Sequence, residues 1–209
     1  MKRFYQFIVG MMLVVVCSIS VAFAQVTSYD IQEKTLNESS LQGRYPVINT
    51  GNLLVKDRVN KTIEKIVRDF GEEIQIQRSK GMSLEGTVGY TIKANNDKVF
   101  SLIINCETFS KEMAHPDTYS YGLSFDHKGK LIQLNQIIEK NGQNGDVYSV
   151  ENLNKEIINQ VGGEVFSSFE NVTEFPQEFY IDNDLNLHVL FQRYEITPYS
   201  AGLIDIILK

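Results

Sequence analysis

Three consecutive segments alternate apolar and polar residues with a period of two, and they constrain the architecture more than any other feature. Val88, Tyr90, Ile92 and Ala94 alternate with Gly89, Thr91 and Lys93. In the run Val99 to Phe109, one face holds Phe100, Leu102, Ile104 and Cys106, the other Ser101, Ile103, Asn105 and Glu107. Tyr119, Tyr121, Leu123 and Phe125 then interleave with Ser120, Gly122, Ser124 and Asp126. Strand side chains point alternately to opposite faces, so this patterning predicts a sheet with one face buried and one wet. Asn96-Asp97 predicts a two-residue turn with positive φ between the first two strands.

Cover for the buried face lies just upstream. Val55, Val59, Ile63, Ile66, Val67, Phe70 and Ile74 recur at spacings of three and four, while Lys56, Lys61, Glu64, Lys65 and Arg68 take the opposite face. That is the stripe of a long amphipathic helix, with Asn52 as its cap and Arg78, Lys80 and Gly81 at its end. Before it, residues 26–49 read as extended, and Pro46 suits an edge strand because it lacks an amide donor. After the sheet, Asn135 to Asp146 reads as a loop. Ser149 then caps a second, shorter helix through Val150, Leu153, Ile157 and Val161. Closing strands are expected over Glu178 to Ile181, Leu185 to Arg193 and Ala201 to Leu208, with Asn183-Asp184 as a turn. The expected fold is α+β, an antiparallel sheet covered by one long helix and a second shorter one.

Residues 1–24 read as an export signal. Lys2 and Arg3 precede the apolar stretch Phe7 to Cys17, and Ala22-Phe23-Ala24 supplies small residues for cleavage before Gln25. Retained, the run Phe7 to Phe23 would sit at the short edge of what crosses a bilayer, so membrane attachment is expected only if this segment stays. Cleavage takes Lys2 and Arg3 from a chain of 20 basic and 26 acidic residues, leaving residues 25–209 as one extracytoplasmic domain with net charge −8. Such a balance disfavours nucleic acid and anionic lipid and favours a cationic partner. Cys106 alone remains, so no internal disulfide can form. Its apolar surroundings predict a buried, inert thiol.

The tail runs Phe191-Gln-Arg-Tyr194-Glu195-Ile-Thr-Pro198-Tyr199-Ser-Ala-Gly202, two apolar strand-like runs around a corner. Its Phe191, Tyr194-Glu195, Pro198-Tyr199 and Gly202 resemble, in order and spacing, the closing motif of a family of bacterial extracytoplasmic α+β domains. Weaker pieces follow in the same order: Tyr45-Pro46-Val47-Ile48 with Asn60, Ala114-His115-Pro116, and Gly129-Lys130 with Leu134. The family includes the outer part of lysozyme-sensing anti-sigma factors and a non-catalytic module of peptidoglycan deacetylases. The resemblance implies a secreted, periplasmic or cell-surface place and a partner such as lysozyme or peptidoglycan.

No residues are expected to be catalytic, and neither a cofactor nor a metal site is expected. His115, His127 and His188 lack the spacing of a metal or hydrolytic site, and His188 reads as a solvated mid-strand side chain. There is no Gly-x-Ser-x-Gly elbow and no Gly-rich phosphate loop. Tyr194 and Tyr199 at the corner, with His115 in its loop, are the candidates for contacting a partner; packing with tied hydroxyls is the competing expectation. The function read from the sequence is a non-catalytic exported binding module. The alternative is a wall-active hydrolase or deacetylase accessory protein, against which the length of the chain speaks.

Overall fold

The structure, a computed structural model, describes residues 28–141 and 146–209, so the expected export signal and the glycines of the 142–145 segment lie outside it. A five-stranded sheet carries β1 (Asp30–Asn37), β2 (Leu41–Asn49), β3 (Glu85–Asn95), β4 (Val99–Phe109) and β5 (Asp117–Asp126), side by side in chain order. All neighbours are antiparallel except β2 and β3, which run parallel over Leu41–Gly86 to Gly43–Val88. The cause is the connection between them, the helix α1 (Leu53–Ser79), which returns the chain to the end of the sheet where β2 began.

Helix α1 starts where the sequence places it. The Asn52 side chain accepts from the amides of Leu54 and Val55 at 3.2 and 3.3 Å, two donors that lack partners at a helix start. Its stripe Val55, Val59, Ile63 and Val67 packs on Val88, Phe100, Leu102, Ile104, Cys106, Leu123 and Phe125, which form the first core. Pro46 stands in β2 beyond the short stretch paired with β3. There Asn60 of α1 substitutes for a neighbouring strand: its amide accepts from Ile48 N at 2.9 Å and donates to Ile48 O at 3.0 Å.

A second, three-stranded antiparallel sheet follows, made of β6 (Glu178–Ile181), β7 (Leu187–Phe191) and β8 (Ile204–Leu208). Two helices precede it, α2 (Leu134–Asn141) and α3 (Val150–Gln160), the latter capped by Ser149 Oγ accepting from Asn152 N at 3.1 Å. Leu153 and Ile157 join Leu187, Val189, Phe191, Ile204, Ile206 and Leu208 in a second core. The mixed α+β class holds, and the strand spans Val99–Phe109 and Glu178–Ile181 match the reading residue for residue.

Several expectations are corrected. Residues from Asn135 onward do not loop out but continue α2, because Leu134 and Ile137 fall on one face and pack against the second core. The β3–β4 connection has no residue of positive φ. Instead Asn96 Oδ1 accepts from Lys98 N and Val99 N at 2.9 and 3.0 Å, a side-chain turn that keeps ordinary backbone angles. Positive φ occurs at Leu185 (68°), which trims the start of β7. The start of β8 is trimmed by the single 3₁₀ turn Tyr199–Ala201.

The polar face of β4 and β5 is also not wet. The second sheet lies on it: Ser101 and Ser124 share a 2.8 Å hydrogen bond in full burial, and Ile103 packs with Tyr180 and Leu190. Close approach is permitted by Gly122, where a β-carbon would stand 2.2 Å from the Phe179 carbonyl oxygen. Gln192 fastens the far end, accepting from Ser120 N at 2.9 Å and donating to Ser120 O at 3.0 Å.

Candidate functional site

At the end of β7 the chain makes the corner that the sequence marks out. Tyr194 adopts φ 67°, a left-handed conformation that costs a bulky residue about 1 kcal/mol or more. The turn around it is held by Glu195, whose carboxylate accepts from Gln192 N at 2.6 Å, and by Glu195 N donating to Gln192 O at 3.2 Å. Pro198 then leads into the 3₁₀ turn that carries Tyr199.

His115 comes from the β4–β5 connection and meets both tyrosines. Its ring stacks on Tyr199 with centroids 3.8 Å apart and 25° between planes, and its Nε2 is 3.0 Å from the Tyr194 hydroxyl. The Tyr199 hydroxyl donates to Pro116 O at 3.0 Å. Arg193 Nη1 donates to that hydroxyl at 3.1 Å and to Thr118 Oγ1 at 2.8 Å, with its guanidinium 4.6 Å from the Tyr199 ring centre. All three expected contact residues therefore converge, yet their parts differ. Tyr199 and His115 are partly buried and tied into the joint between the loop and the corner. Tyr194 is 55% exposed.

Beyond Tyr194 opens a groove of about 770 Å³, walled by Phe166, Phe169, Phe175 and Phe191 and flanked by Glu170 and Glu174. Its lining also includes Glu195 and contains no lysine or arginine. The outer side of the corner is thus an aromatic, acid-rimmed surface attached to rigid strands. The groove was not legible beforehand, because the segment 165–177 that walls it has no helical or strand periodicity.

A second polar cluster corrects the reading of His188 as solvated. Its imidazole stacks on Tyr180 at 4.4 Å, its Nδ1 lies 2.7 Å from Asp205 Oδ1, and its Nε2 lies 3.1 Å from Asp182 Oδ2. The Tyr180 hydroxyl donates to Asp205 Oδ2 at 2.6 Å, and Lys93 Nζ of β3 sits 3.6 Å from the same oxygen and 4.7 Å from the Tyr180 ring centre. Burial opposes charge on His188, but the two carboxylates outweigh it and raise the imidazole above its ordinary pKa. Burial likewise pushes Asp205 and Asp182 up. Hydrogen bonds from His188 and Tyr180 to Asp205, and from Asn186 and His188 to Asp182, hold both below the usual carboxylate range.

Both ring nitrogens of His188 are engaged by carboxylates. The cluster is a clasp within the second sheet that Lys93 ties to β3. Glu178, buried where β6 meets β5, is raised by burial despite accepting from Gly122 N at 2.7 Å and from Tyr119 Oη at 3.2 Å. Burial pushes the Cys106 thiol up to about 12, which keeps it protonated and unreactive. Among the described residues, no three or more His, Cys, Asp or Glu side chains are grouped to hold a metal ion.

No curated protein matches this chain. Solved structures are similar to it, among them the following two. A DUF3298 family member from Bacteroides fragilis NCTC 9343 is 13% identical, with 88% of this chain and 91% of that one covered and a TM-score of 0.61. A DUF3298 family protein from Pseudomonas aeruginosa PAO1 is 10% identical, with 87% and 89% covered and a TM-score of 0.55. At such identities the likeness shows the fold alone. Residues 126–209, which hold the aromatic corner, the groove and the whole second sheet, match the family model described as protein of unknown function, DUF3298.

Proposed function

We propose that this chain is an exported, non-catalytic binding module that contacts a cell-wall polymer or a protein partner such as a lysozyme. The observation that carries the reading is Tyr194, an exposed aromatic fixed at a strained corner beside an aromatic groove. Bulky residues held in left-handed backbone cluster at binding sites and ligand clamps. A rigid exposed tyrosine loses little entropy on binding, and its face suits either the apolar side of a sugar ring or a protein hot spot. The likeness of the tail to the outer part of lysozyme-sensing anti-sigma factors and to the deacetylase module supports the same class. So does the acidic groove rim, which speeds encounter with a cationic protein.

Purified residues 25–209 should be retained on insoluble peptidoglycan or on immobilised lysozyme without turning over a wall substrate. Tyr194→Ala should lower retention by about tenfold or more. Lysozyme binding should weaken as salt rises. Salt-independent lysozyme retention would remove the electrostatic argument, and unchanged retention by Tyr194→Ala would move the contact away from the corner. Release of acetate or cleaved glycan would instead make the protein an enzyme.

A further inference from the structure

Charge is not spread evenly over this acidic molecule. Leu53 and Leu54, at the start of α1, are 76% and 68% exposed, more than any other large apolar side chain among the described residues. Lys56 and Arg58 follow at once, and the first turn of α1 holds no acidic residue. The loop after β5 rises beside them. Arg58 Nη1 donates to Lys128 O at 3.1 Å, and a β-carbon on Gly129 would stand 3.1 Å from Val55 Cα. That loop adds exposed Lys128, Lys130 and Leu131.

Nearby carboxylates are largely engaged. Asp57 pairs with Lys61 at 3.0 Å, and Asp126 Oδ1 accepts from the backbone amides of Lys128 and Lys130 at 2.8 and 2.9 Å. Asp97 and Asp184 sit at turns joined through Asn96 and Asn183, where the β3–β4 connection meets the second sheet. Asp30 and Asp97 also lie at this end of the sheet.

The place where the chain enters the fold decides what this end faces. Asp30 pairs with Asn49, just ahead of the Asn52 cap. Tyr29 packs edge-on against Phe100 at 5.4 Å, which stacks on Phe125 at the base of the lysine loop. Five residues separate Tyr29 from Phe23, the last of the apolar N-terminal run. The leucines, the basic side chains and the point of entry from an apolar segment thus share one end of the molecule.

We infer that this end is a docking surface for a bilayer bearing anionic phospholipid headgroups. Lys56, Arg58, Lys128 and Lys130 meet the headgroup phosphates, while Leu53 and Leu54 enter the boundary with the acyl chains. Overall acidity opposes approach only weakly, because it is screened beyond roughly 8 Å at physiological salt, whereas the local cations act at contact. The leucines select a bilayer over a soluble polyanion, which offers no apolar phase. A patch of this size adheres weakly and reversibly by itself, so it orients the fold rather than anchoring it. The orientation has a consequence. β4 runs from Val99 beside Asp126 to Phe109 beside the His115 loop, so the aromatic corner lies at the opposite end and is turned away from the membrane.

Both cores begin at or after Tyr29, so residues 25–209 keep every contact described and can be tested without the apolar run. That protein should float at physiological salt with vesicles of phosphatidylcholine and phosphatidylglycerol, but not with phosphatidylcholine alone. Lys128→Gln and Lys130→Gln should each lower partitioning by about fivefold. Leu53→Ser with Leu54→Ser should lower it further, with an unchanged far-UV spectrum because both positions are exposed. An environment-sensitive dye at Leu54→Cys should shift to the blue on anionic vesicles, while the same dye at Ile158→Cys should not. Equal flotation with both vesicle types, no flotation at all, or equal dye responses would overturn the inference. So would binding of a soluble polyanion without a dye shift on vesicles.

Discussion

His188 has its raised pKa because of where register places it. It stands directly across from Tyr180 on one side and Ile207 on the other, which brings Asp205 and Asp182 to its two nitrogens. Its pKa in the folded chain lies above the ordinary 6.5. The stabilisation is therefore fully present below that value and is lost as pH rises through the folded pKa. Asp182 and Asp205 act in the opposite sense: held low, they contribute above their ordinary value and lose that contribution as pH falls. His188→Gln should lower unfolding stability by on the order of 2 kcal/mol at about pH 6, a difference that shrinks towards about pH 8. Urea midpoints of both proteins across that range would read it, and a pH-independent difference would remove the charged imidazole from the account. None of this was legible in the sequence, where His188 alternates correctly between Leu187 and Val189 but its partners come from other strands. Tyr194 and Tyr199 were legible as a turn tip and His115 as part of a loop, but not their meeting, since no local pattern brings a β4–β5 loop to a carboxy-terminal corner.

At the level of elements, local signals carried far and stopped where two elements touch. The cap at Asn52, the α1 stripe and the bounds of β4 follow from periodicity and side-chain chemistry within one segment. The polar face of β4 and β5 departs from the expectation because Ser101, Ser120 and Ser124 look solvated until a second sheet buries them. Ser124 Oγ accepts from Ile181 N at 2.9 Å, and Ser120 is bound through its backbone by Gln192. Gly122 was the one available sign, a residue without a side chain in the middle of an otherwise regular strand. Gly122→Ala would set a β-carbon against the β6 backbone, where no flexible side chain can yield. The variant should lose about 3 kcal/mol and expose apolar surface between the sheets. Denaturant unfolding and binding of an apolar dye would measure this, and an unchanged midpoint would mean that β6 sits farther from β5 than the structure places it.

For the whole molecule, the question is whether the part that matches the DUF3298 family is a unit by itself. Residues 126–209 contain the second core complete, including α2, α3 and all three strands. They do not contain what covers its other side. Phe179, Tyr180 and Leu190 are buried with Ile103 or against Gly122, Glu178 accepts its hydrogen bonds from Tyr119 and Gly122, and Lys93 completes the clasp around Asp205. Without β3 to β5, a half-buried sheet would present those apolar side chains and a carboxylate raised by burial to water. Isolated residues 126–209 should therefore lack a cooperative unfolding transition and a dispersed amide spectrum, while residues 25–209 melt in one step. Adding residues 28–125 in trans should restore dispersion if the two sheets recognise each other through the Gly122 and Gln192 contacts. A well-dispersed spectrum from 126–209 alone would show instead that the second core suffices, and that the first sheet serves position rather than stability.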